Sequence, residues 1–382
     1  MITYTIANPG DEEKLLDFAN YVFSQSHRPH DFRTLLPKVY GEGIKNAGMH
    51  YVAKESNGDI RAMLCVLPLD FIIAGNHLRC GVVGSVSVHP YYRGEGYMKQ
   101  LMRLMIDDCK EKRIDVLALS GQRQRYNYFG FEYAGYCAEY LINRDNIRHT
   151  QKDVMLSGYS MVNIESDDEP LCKECYKLYE TGLIHGARPE GSYLRYAKSW
   201  QSVLHAIIKD GRFIGSLIDN EWDGRAIKEI LLNDESEIGP VLKLWFEKNP
   251  EAQSTTIRVW PFERDRMKEM NDICEKMNII PGQMIRILNG ESTIRAALDL
   301  KSKCGNLNDG STVIQLEEKK IALSVKDGIA KVESSDENAE MSLSDIDVVR
   351  KLFAQNVLMN PNGDILFNWL PLPWAMPSPD RF

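Results

Sequence analysis

The stretch that decides the fold is residues 85–98, which read Ser-Val-Ser-Val-His-Pro-Tyr-Tyr-Arg-Gly-Glu-Gly-Tyr-Met. Four valines between residues 82 and 88 form a β-branched run, which predicts a strand buried on both faces. Pro90 ends this strand because proline cannot donate a hydrogen bond to the ladder. Apolar residues then recur at helical spacing from Tyr97 to Cys109. The sequence therefore predicts a buried strand joined to a helix by a short glycine-containing loop.

The loop Arg93-Gly94-Glu95-Gly96 has the properties of a phosphate-binding loop. A helix N-terminus offers unpaired backbone N–H groups and a positive dipole end, and two glycines allow a ligand to approach the backbone closely. Arg93 adds a cation beside them. A strand, turn and helix with glycines in the turn is also common where no ligand binds. The order of features here favours a pyrophosphate and, with it, a bound acyl-coenzyme A.

The same stretch resembles the acetyl-coenzyme A motif of the GCN5-related N-acetyltransferases (GNATs), usually Gln/Arg-x-x-Gly-x-Gly/Ala after a strand that ends in x-Pro. Arg93 and Gly96 match the first two fixed positions, and Met98 stands where a small residue is usual. A larger apolar residue at that position is normal in the Eis-like (enhanced intracellular survival) branch of the family. The resemblance therefore implies an Eis-like N-acetyltransferase that uses acetyl-CoA as acetyl donor.

Composition limits the class of protein. The chain has 382 residues, 43% of them hydrophobic, which suggests two or three folded domains. It has no apolar run of transmembrane length and no signal-peptide pattern, so we expect a soluble cytoplasmic protein that does not bind membranes. The formal charge of −8 argues against nucleic acid and favours a cationic partner.

The eight cysteines lack the spacing of a disulfide framework, and we expect reduced thiols. Cys172-Lys-Glu-Cys175 is a single CxxC with no second pair and no spaced histidines. It lies in a stretch with a helical pattern, which does not favour a zinc site. No metal site is predicted.

Residues 1–146 have the element order of one GNAT domain: strand, helix, antiparallel hairpins, then strand, helix and strand. A helix is predicted over 11–23, with hairpin turns at Asn57-Gly58 and Ala74-Gly75-Asn76. Residues 115–119 predict another short buried strand, which ends at Ser120-Gly121.

Residues 147–285 predict helical stretches over 169–180 and 191–200, followed by a strand meander, a helix and a further strand. The unit resembles the degenerate second GNAT domain of the Eis-like proteins. Because it has no Arg-x-x-Gly-x-Gly loop, we predict that it binds no coenzyme and walls the acceptor site. Residues 286–382 occupy the position of a sterol carrier protein-like domain, with a match in element order only. The predicted fold class is therefore α/β (α+β), with two tandem GNAT domains and this third domain.

The last thirteen residues, 370–382, contain four prolines and several large apolar side chains. Prolines hold a chain extended, and disordered tails normally lack such apolar anchors. Most proline-rich ends are nevertheless plain tails. The Eis-like resemblance implies instead that this segment returns to the N-terminal domain and that the carboxylate of Phe382 acts as general base.

Acetyl transfer also needs a proton donor for the leaving thiolate, and tyrosine suits this role because its pKa of about 10 exceeds that of a thiol. The run Tyr126-Asn-Tyr-Phe-Gly-Phe131 resembles the Tyr-x-x-Phe-Gly-Tyr/Phe signature of the Eis-like group. The resemblance implies Tyr126 as general acid, with Tyr128 as the competitor. The residues predicted to contact the coenzyme are Val86, Ser87, Val88, Arg93, Gly94, Glu95, Gly96, Tyr97, Met98, Ser120 and Gly121.

The acceptor is predicted to be a small-molecule primary amine, with an aminoglycoside or another polyamine implied by the resemblance. A peptide or protein lysine remains an alternative, as does a non-catalytic acetyl-CoA sensor or small-molecule carrier. His27 and His30 lie in a predicted acceptor-side loop, 26–40, and are more simply read as surface or hydrogen-bonded residues. Family resemblance also implies a homo-oligomer, specifically a hexamer.

Overall fold

A computed structural model describes residues 1–25, 28–189, 191–220, 226–355 and 368–382. Residues 223–224 of the predicted strand meander and His27 lie outside these ranges. The predicted α/β class is confirmed, because helices pack on several separate sheets.

The N-terminal region contains a long hairpin flanked by helices. Its strands are β1 (Ile2–Ile6), β2 (His50–Glu55), β3 (Ile60–Ile73), β4 (Asn76–Val88), β5 (Val116–Leu119) and β6 (Glu132–Tyr133). Its helices are α1 (Glu12–Ser24), α2 (Phe32–Leu35), α3 (Pro37–Tyr40), α4 (Tyr97–Glu111) and α5 (Arg123–Asn127).

The middle region follows the predicted pattern of helices and a strand meander. Its strands are β7 (Tyr136–Asn143), β8 (Tyr159–Asn163), β9 (Ile184–Ala187), β10 (Ser202–Lys209), β11 (Arg212–Asn220), β12 (Ala226–Leu232), β13 (Ser254–Val259) and β14 (Lys276–Pro281). Its helices are α6 (Arg144–Thr150), α7 (Pro170–Glu180), α8 (Tyr193–Ala197), α9 (Ile238–Lys248) and α10 (Arg264–Ile273).

The C-terminal region begins with a strand and a long helix. Its elements are β15 (Met284–Ile287), α11 (Gly290–Cys304), β16 (Gly310–Leu316), β17 (Lys319–Lys326), β18 (Ile329–Ser334), β19 (Met341–Leu343) and α12 (Asp345–Leu352). Ser344 caps α12 through its side chain.

The first sheet has the strand order β1-β2-β3-β4-β5-β15-β6, with β9 paired to β3. Both predicted hairpins are confirmed by the antiparallel pairing of β2 with β3 and of β3 with β4. Helices α1 and α4 cover opposite faces of this sheet, because Leu15 of α1 and Leu101 of α4 belong to separate apolar clusters. Alternate residues of β3 contribute to each cluster, as expected of a strand buried on both sides.

The sheets do not follow the predicted cuts at residues 146 and 285. Strand β7, inside the predicted first unit, pairs with β13 and β14 of the middle region. Strand β15, which spans the predicted cut at residue 285, inserts between β5 and β6 of the first sheet. All four residues of β15 are buried, as expected of a strand that pairs on both sides in the interior of a sheet. Local patterning predicts such strands but not the sheet that receives them.

The segment 368–382 packs along the N-terminal region. The side chains of Trp374 and Met376 are buried in the same apolar cluster as β3 and β4. The backbone of Trp374 passes so close to Gly135 that a Cβ at this glycine would collide with it. The tail is therefore an integral part of the folded core, which brings its last residues to the N-terminal sheet.

Candidate active site

The loop between β4 and α4 leaves an open helix N-terminus. Gly94 and Gly96 have φ angles of +95° and +78°, a region that favours glycine. Gly96 is the N-cap of α4, and a Cβ at either glycine would have no neighbour within 4 Å. Arg93 and Glu95 are exposed beside them. The fifteen-residue helix thus presents its N-terminal N–H groups to free space, a setting that fits a pyrophosphate.

Strand β4 has a bulge where the predicted coenzyme contacts begin. Cys65 pairs with Gly84 and Met63 with Ser87, so β4 has one extra residue, and Ser85 has a φ of +48°. The parallel pairing of β4 with β5 ends at Val83 and Leu119. The two strands therefore separate, and the edge of β4 over residues 86–88 has no β5 partner.

The valine run is not buried along its whole length as predicted. Val82 and Val83 are buried, but Val86 and Val88 are only half-buried, and Ser85 and Ser87 lie inside instead. The reason is the separation of β4 from β5, which uncovers one face of the strand. The same separation leaves an opening between β4 and β5.

A buried hydrogen-bond network that the sequence analysis missed holds the bulge. The hydroxyl groups of Tyr40 and Ser85 lie 2.7 Å apart, and Tyr40 also lies 3.0 Å from Nε2 of His50. Nδ1 of His50 is hydrogen-bonded to the carbonyl of Asn46. Burial lowers the pKa of His50 to about 4, so the ring is neutral near pH 7. Its partners are distant in sequence, and no local motif links them.

Tyr126 lies in α5, just after the end of β5. Its side chain is buried, and a Cβ on Gly121 would lie 2.8 Å from the Tyr126 ring. Burial raises the pKa of Tyr126, which keeps the phenol protonated. Tyr128 is 60% exposed and points toward Lys99, whose Nζ lies 4.9 Å from its ring. The hydrogen bond from Lys99 lowers the pKa of Tyr128.

Phe382 lies beside the opening that the separation of β4 and β5 leaves. Its ring packs directly on Gly84, next to the bulge, where a Cβ would collide with it. Phe382 and Ser120 both line a cavity of about 390 Å³. The other walls of this cavity come from the middle region and the tail: Ala197, Ser199, Trp200, Ser202, Ile218, Asn220, Lys228, Arg258, Ser378, Pro379 and Arg381. The structure thus brings Phe382 and Ser120, two of the predicted site residues, to one opening.

Buried charges fasten the tail just before Phe382. The side chains of Asp380 and Arg188 have no solvent exposure and form an ion pair with Nη2 and Oδ1 2.9 Å apart. The hydroxyl of Tyr179 also donates to Asp380. Lys38 of α3 donates to the carbonyls of Pro379, at 2.7 Å, and Arg381. Neither Asp380 nor its partners carry a sequence signature, so the sequence analysis missed them.

Lys38 is an unusual lysine because its ammonium group is buried and donates hydrogen bonds to the tail. Burial lowers its pKa to about 7, although nearby Asp380 opposes this shift. A lysine that donates to two backbone carbonyls satisfies hydrogen-bond acceptors that would otherwise be buried without partners. Lys38 therefore links the N-terminal region to the tail, while Arg188 links the middle region to it.

His30 has the structural role that the simpler interpretation gave it. Its Nδ1 lies 2.7 Å from the carbonyl oxygen of Arg28, and its ring stacks on Phe32. Within the described residues, no group of three or more His, Cys, Asp or Glu side chains is arranged to hold a metal ion. None of the helices in the described ranges is long and apolar enough to cross a membrane.

Comparison with known families assigns the region that contains the loop, the bulge and Tyr126. Residues 3–134 match the acetyltransferase (GNAT) domain model. The N-terminal region is a GNAT acetyltransferase domain. Enzymes with this domain use acetyl-CoA as the acetyl donor, so the GNAT and acetyl-CoA predictions are confirmed. No curated protein sequence matches the chain.

Solved structures extend the likeness in fold to the whole chain. A GCN5-related N-acetyltransferase from Anabaena variabilis has a TM-score of 0.69 at 17% identity, with both chains covered completely. A probable N-acyltransferase from Enterococcus faecalis has a TM-score of 0.69 at 14% identity, and Eis1 from Mycobacterium abscessus 0.61 at 12%, again over 100% of both chains. At these identities the likeness concerns the fold alone.

The glycine at the N-cap of α4 offers a direct test of the loop. Gly96→Ala forces a φ of +78° on an L-residue, at a cost of about 1–2 kcal/mol. If the loop shifts to relieve this strain, KM for acetyl-CoA should rise about 5- to 30-fold in steady-state assays. Gly48→Ala is the matched control, because Gly48 has no positive φ and a Cβ there also meets open space. Equal KM values for both variants would remove this loop from coenzyme binding.

Proposed function

We propose that this protein is an N-acetyltransferase that transfers the acetyl group of acetyl-CoA directly to a primary amine. The observation that carries the proposal is the opening between β4 and β5. The glycine loop before α4 follows β4 directly, and Tyr126 and Phe382 lie beside the opening itself. A donor held along β4 would place its thioester where an amine from the 390 Å³ cavity can reach it.

The coenzyme contacts are proposed on this geometry. The unpaired edge of Val86, Ser87 and Val88 would bind the pantetheine arm and polarise the thioester carbonyl with backbone N–H groups. The pyrophosphate would lie on the loop from Arg93 to Gly96 and the first turn of α4, with Tyr97 and Met98. Ser120 and Gly121 close the opposite side at the end of β5.

Two groups are proposed to move protons. The amine nitrogen forms a bond to the acetyl carbon, the carbon–sulfur bond breaks, and the leaving thiolate takes its proton from Tyr126. The amine loses a proton to the carboxylate of Phe382, directly or through water. The raised pKa of Tyr126 is consistent with this role in one respect, because it keeps the phenol in the protonated form that a proton donor requires.

The experiment that tests the function is thiol release from acetyl-CoA in the presence of a broad panel of primary amines. The proposal expects amine-dependent release and an acetylated amine of matching amount by mass spectrometry. Saturable binding of acetyl-CoA with no release in the presence of any amine would contradict it and favour the sensor alternative. The carrier role, a hexameric assembly and a cytoplasmic location stay predictions.

The terminal carboxylate is tested by lengthening the chain. Adding Gly-Ser after Phe382 moves the carboxylate away from Gly84 and the cavity while leaving the anchor at Asp380 in place. We expect kcat to fall about 100-fold, the lower range for general-base catalysis, with the midpoint of thermal unfolding unchanged. A matched Gly-Ser addition before Met1 is the control. An unchanged kcat in the lengthened variant would exclude Phe382 as base.

A further inference from the structure

Two arginines line the cavity beside Phe382. Arg258 extends from β13, and Arg381 precedes Phe382 in the tail. Both also line a second cavity of about 350 Å³ next to the first, so they stand where the two cavities meet. No Asp or Glu side chain is among the described residues that line the 390 Å³ cavity. The ionisable side chains that line this cavity, Lys228, Arg258 and Arg381, are therefore cationic, and the carboxylate proposed as base belongs to the main chain of Phe382.

Arg381 has no carboxylate partner among the ion pairs of the described residues. Its Nε donates to the carbonyl of Met376 at 3.0 Å, and its guanidinium lies 6.0 Å from the ring centre of Trp260. Burial, and then the charge of Arg258, lower the pKa of Arg381 to about 10. Arg258 forms one ion pair, with the carboxylate of Glu139, at 3.1 Å near the surface. Arg381 is partly buried, and the nearby charge of Asp380, which forms its own ion pair with Arg188, acts against the shift in pKa. A partly buried guanidinium that pairs with no carboxylate would be stabilised by a bound anion.

We propose that the acceptor is a primary amine that also carries a carboxylate or a phosphate, and that Arg258 and Arg381 hold this anion while the amine faces the opening between β4 and β5. The inference rests on the proposed function. Guanidinium groups suit both anions because their planar donors form paired hydrogen bonds to two oxygens. A cavity of about 390 Å³ has the size of a small-molecule site.

The charges next to the site oppose a polycationic acceptor. Two arginines would repel the additional ammonium groups of a polyamine in this space. The carboxylates of Glu235 and Glu263, in the neighbouring cavity, are already bonded to Arg266. Glu229 also lines that cavity, and burial raises its pKa to about 7, so it is a weak counter-ion near neutral pH. The formal charge of −8 is a property of the whole surface and not of this site.

The test compares matched amines in the thiol-release assay with the full-length protein. The pairs are phenylalanine with phenethylamine and O-phosphoethanolamine with ethanolamine, and spermidine represents polyamines. We expect kcat/KM to be at least about tenfold higher for the anionic member of at least one pair, and that pair identifies the anion as carboxylate or phosphate. Equal values within both pairs, or a higher value for spermidine, would overturn the inference while leaving acetyl transfer intact. No release with any amine would contradict the proposed function itself.

An arginine variant and its control test where the anion of the acceptor binds. Arg258→Gln should raise KM for the preferred anionic amine about tenfold or more, with a smaller change in kcat and in KM for its neutral partner. Arg148→Gln is the control, because Arg148 is an exposed arginine of the same region.

Calorimetry with phenylacetate and with inorganic phosphate gives a readout without turnover. At least one should bind the unaltered protein and lose affinity in Arg258→Gln. Absence of binding by both, or equal affinity in the variant, would contradict the site.

Discussion

The Tyr126→Phe variant is expected to lose about 10²- to 10⁴-fold in kcat, the range for removing a general acid. The substitution removes only the hydroxyl group, and the ring still packs against Gly121 and Phe131. KM for acetyl-CoA should stay within about twofold, because the loop around Gly96 is untouched. Steady-state thiol release at saturating acetyl-CoA measures kcat, and calorimetry measures coenzyme binding separately.

Tyr128→Phe is the matched control for this loss. Tyr128 is two residues away but exposed, and its hydroxyl faces Lys99 on the outside of α4. Its removal should leave kcat within about twofold. If Tyr126→Phe kept the parental kcat, the assignment of Tyr126 as the acid would be wrong. If Tyr128→Phe showed the large loss in kcat instead, Tyr128 would be the acid.

The Asp380→Ala variant is expected to destabilise the protein by about 3–5 kcal/mol, since it leaves the buried charge of Arg188 without its partner. The loss should appear as a large drop in the midpoint of thermal or urea unfolding. Because Asp380 fastens the tail two residues before Phe382, kcat should also fall under conditions where the variant is still folded. Circular dichroism and thiol release on the same sample measure both effects.

Asp145→Ala gives the comparison for this prediction. Asp145 pairs with Arg148, but both side chains are about 70% exposed, so the pair contributes about 0–1 kcal/mol. An Asp380→Ala variant as stable as Asp145→Ala would show that the tail does not depend on the Arg188 ion pair. A destabilised variant with unchanged kcat would show instead that the anchor is structural and does not position Phe382.

Local patterns predicted the strand, the glycine loop and the helix around residues 93–96 well. The loop from Arg93 to Gly96 depends on features that neighbours in sequence supply: a β-branched strand, a proline stop, two glycines and an amphipathic helix. Such features are encoded within about 25 residues, and the structure has them at the predicted positions. Even here, the exposure of Val86 and Val88 departed from prediction, because it depends on where β5 ends.

The acceptor side that we propose was predicted only in outline. The charges that line its cavity come from β12, β13 and the tail, which are far apart in sequence. Neither Arg258 nor Arg381 lies in a sequence motif that indicates an anion site. Their approach depends on the packing of the middle region against the tail. The overall acidic composition suggested a cationic acceptor, whereas the local charges indicate an anionic group.

By itself, the sequence determined a strand, a glycine loop and a helix whose motif resembles that of the GNAT acetyltransferases, because these elements depend on short-range patterning and glycine conformation. Only the tertiary structure decided that β15 inserts beside β5, that Asp380 and Arg188 fasten the tail, and that Phe382 reaches Gly84. These contacts join residues up to about 300 positions apart. They are selected by burial of apolar surface and by pairing of buried charges, and neither can be read from neighbouring residues.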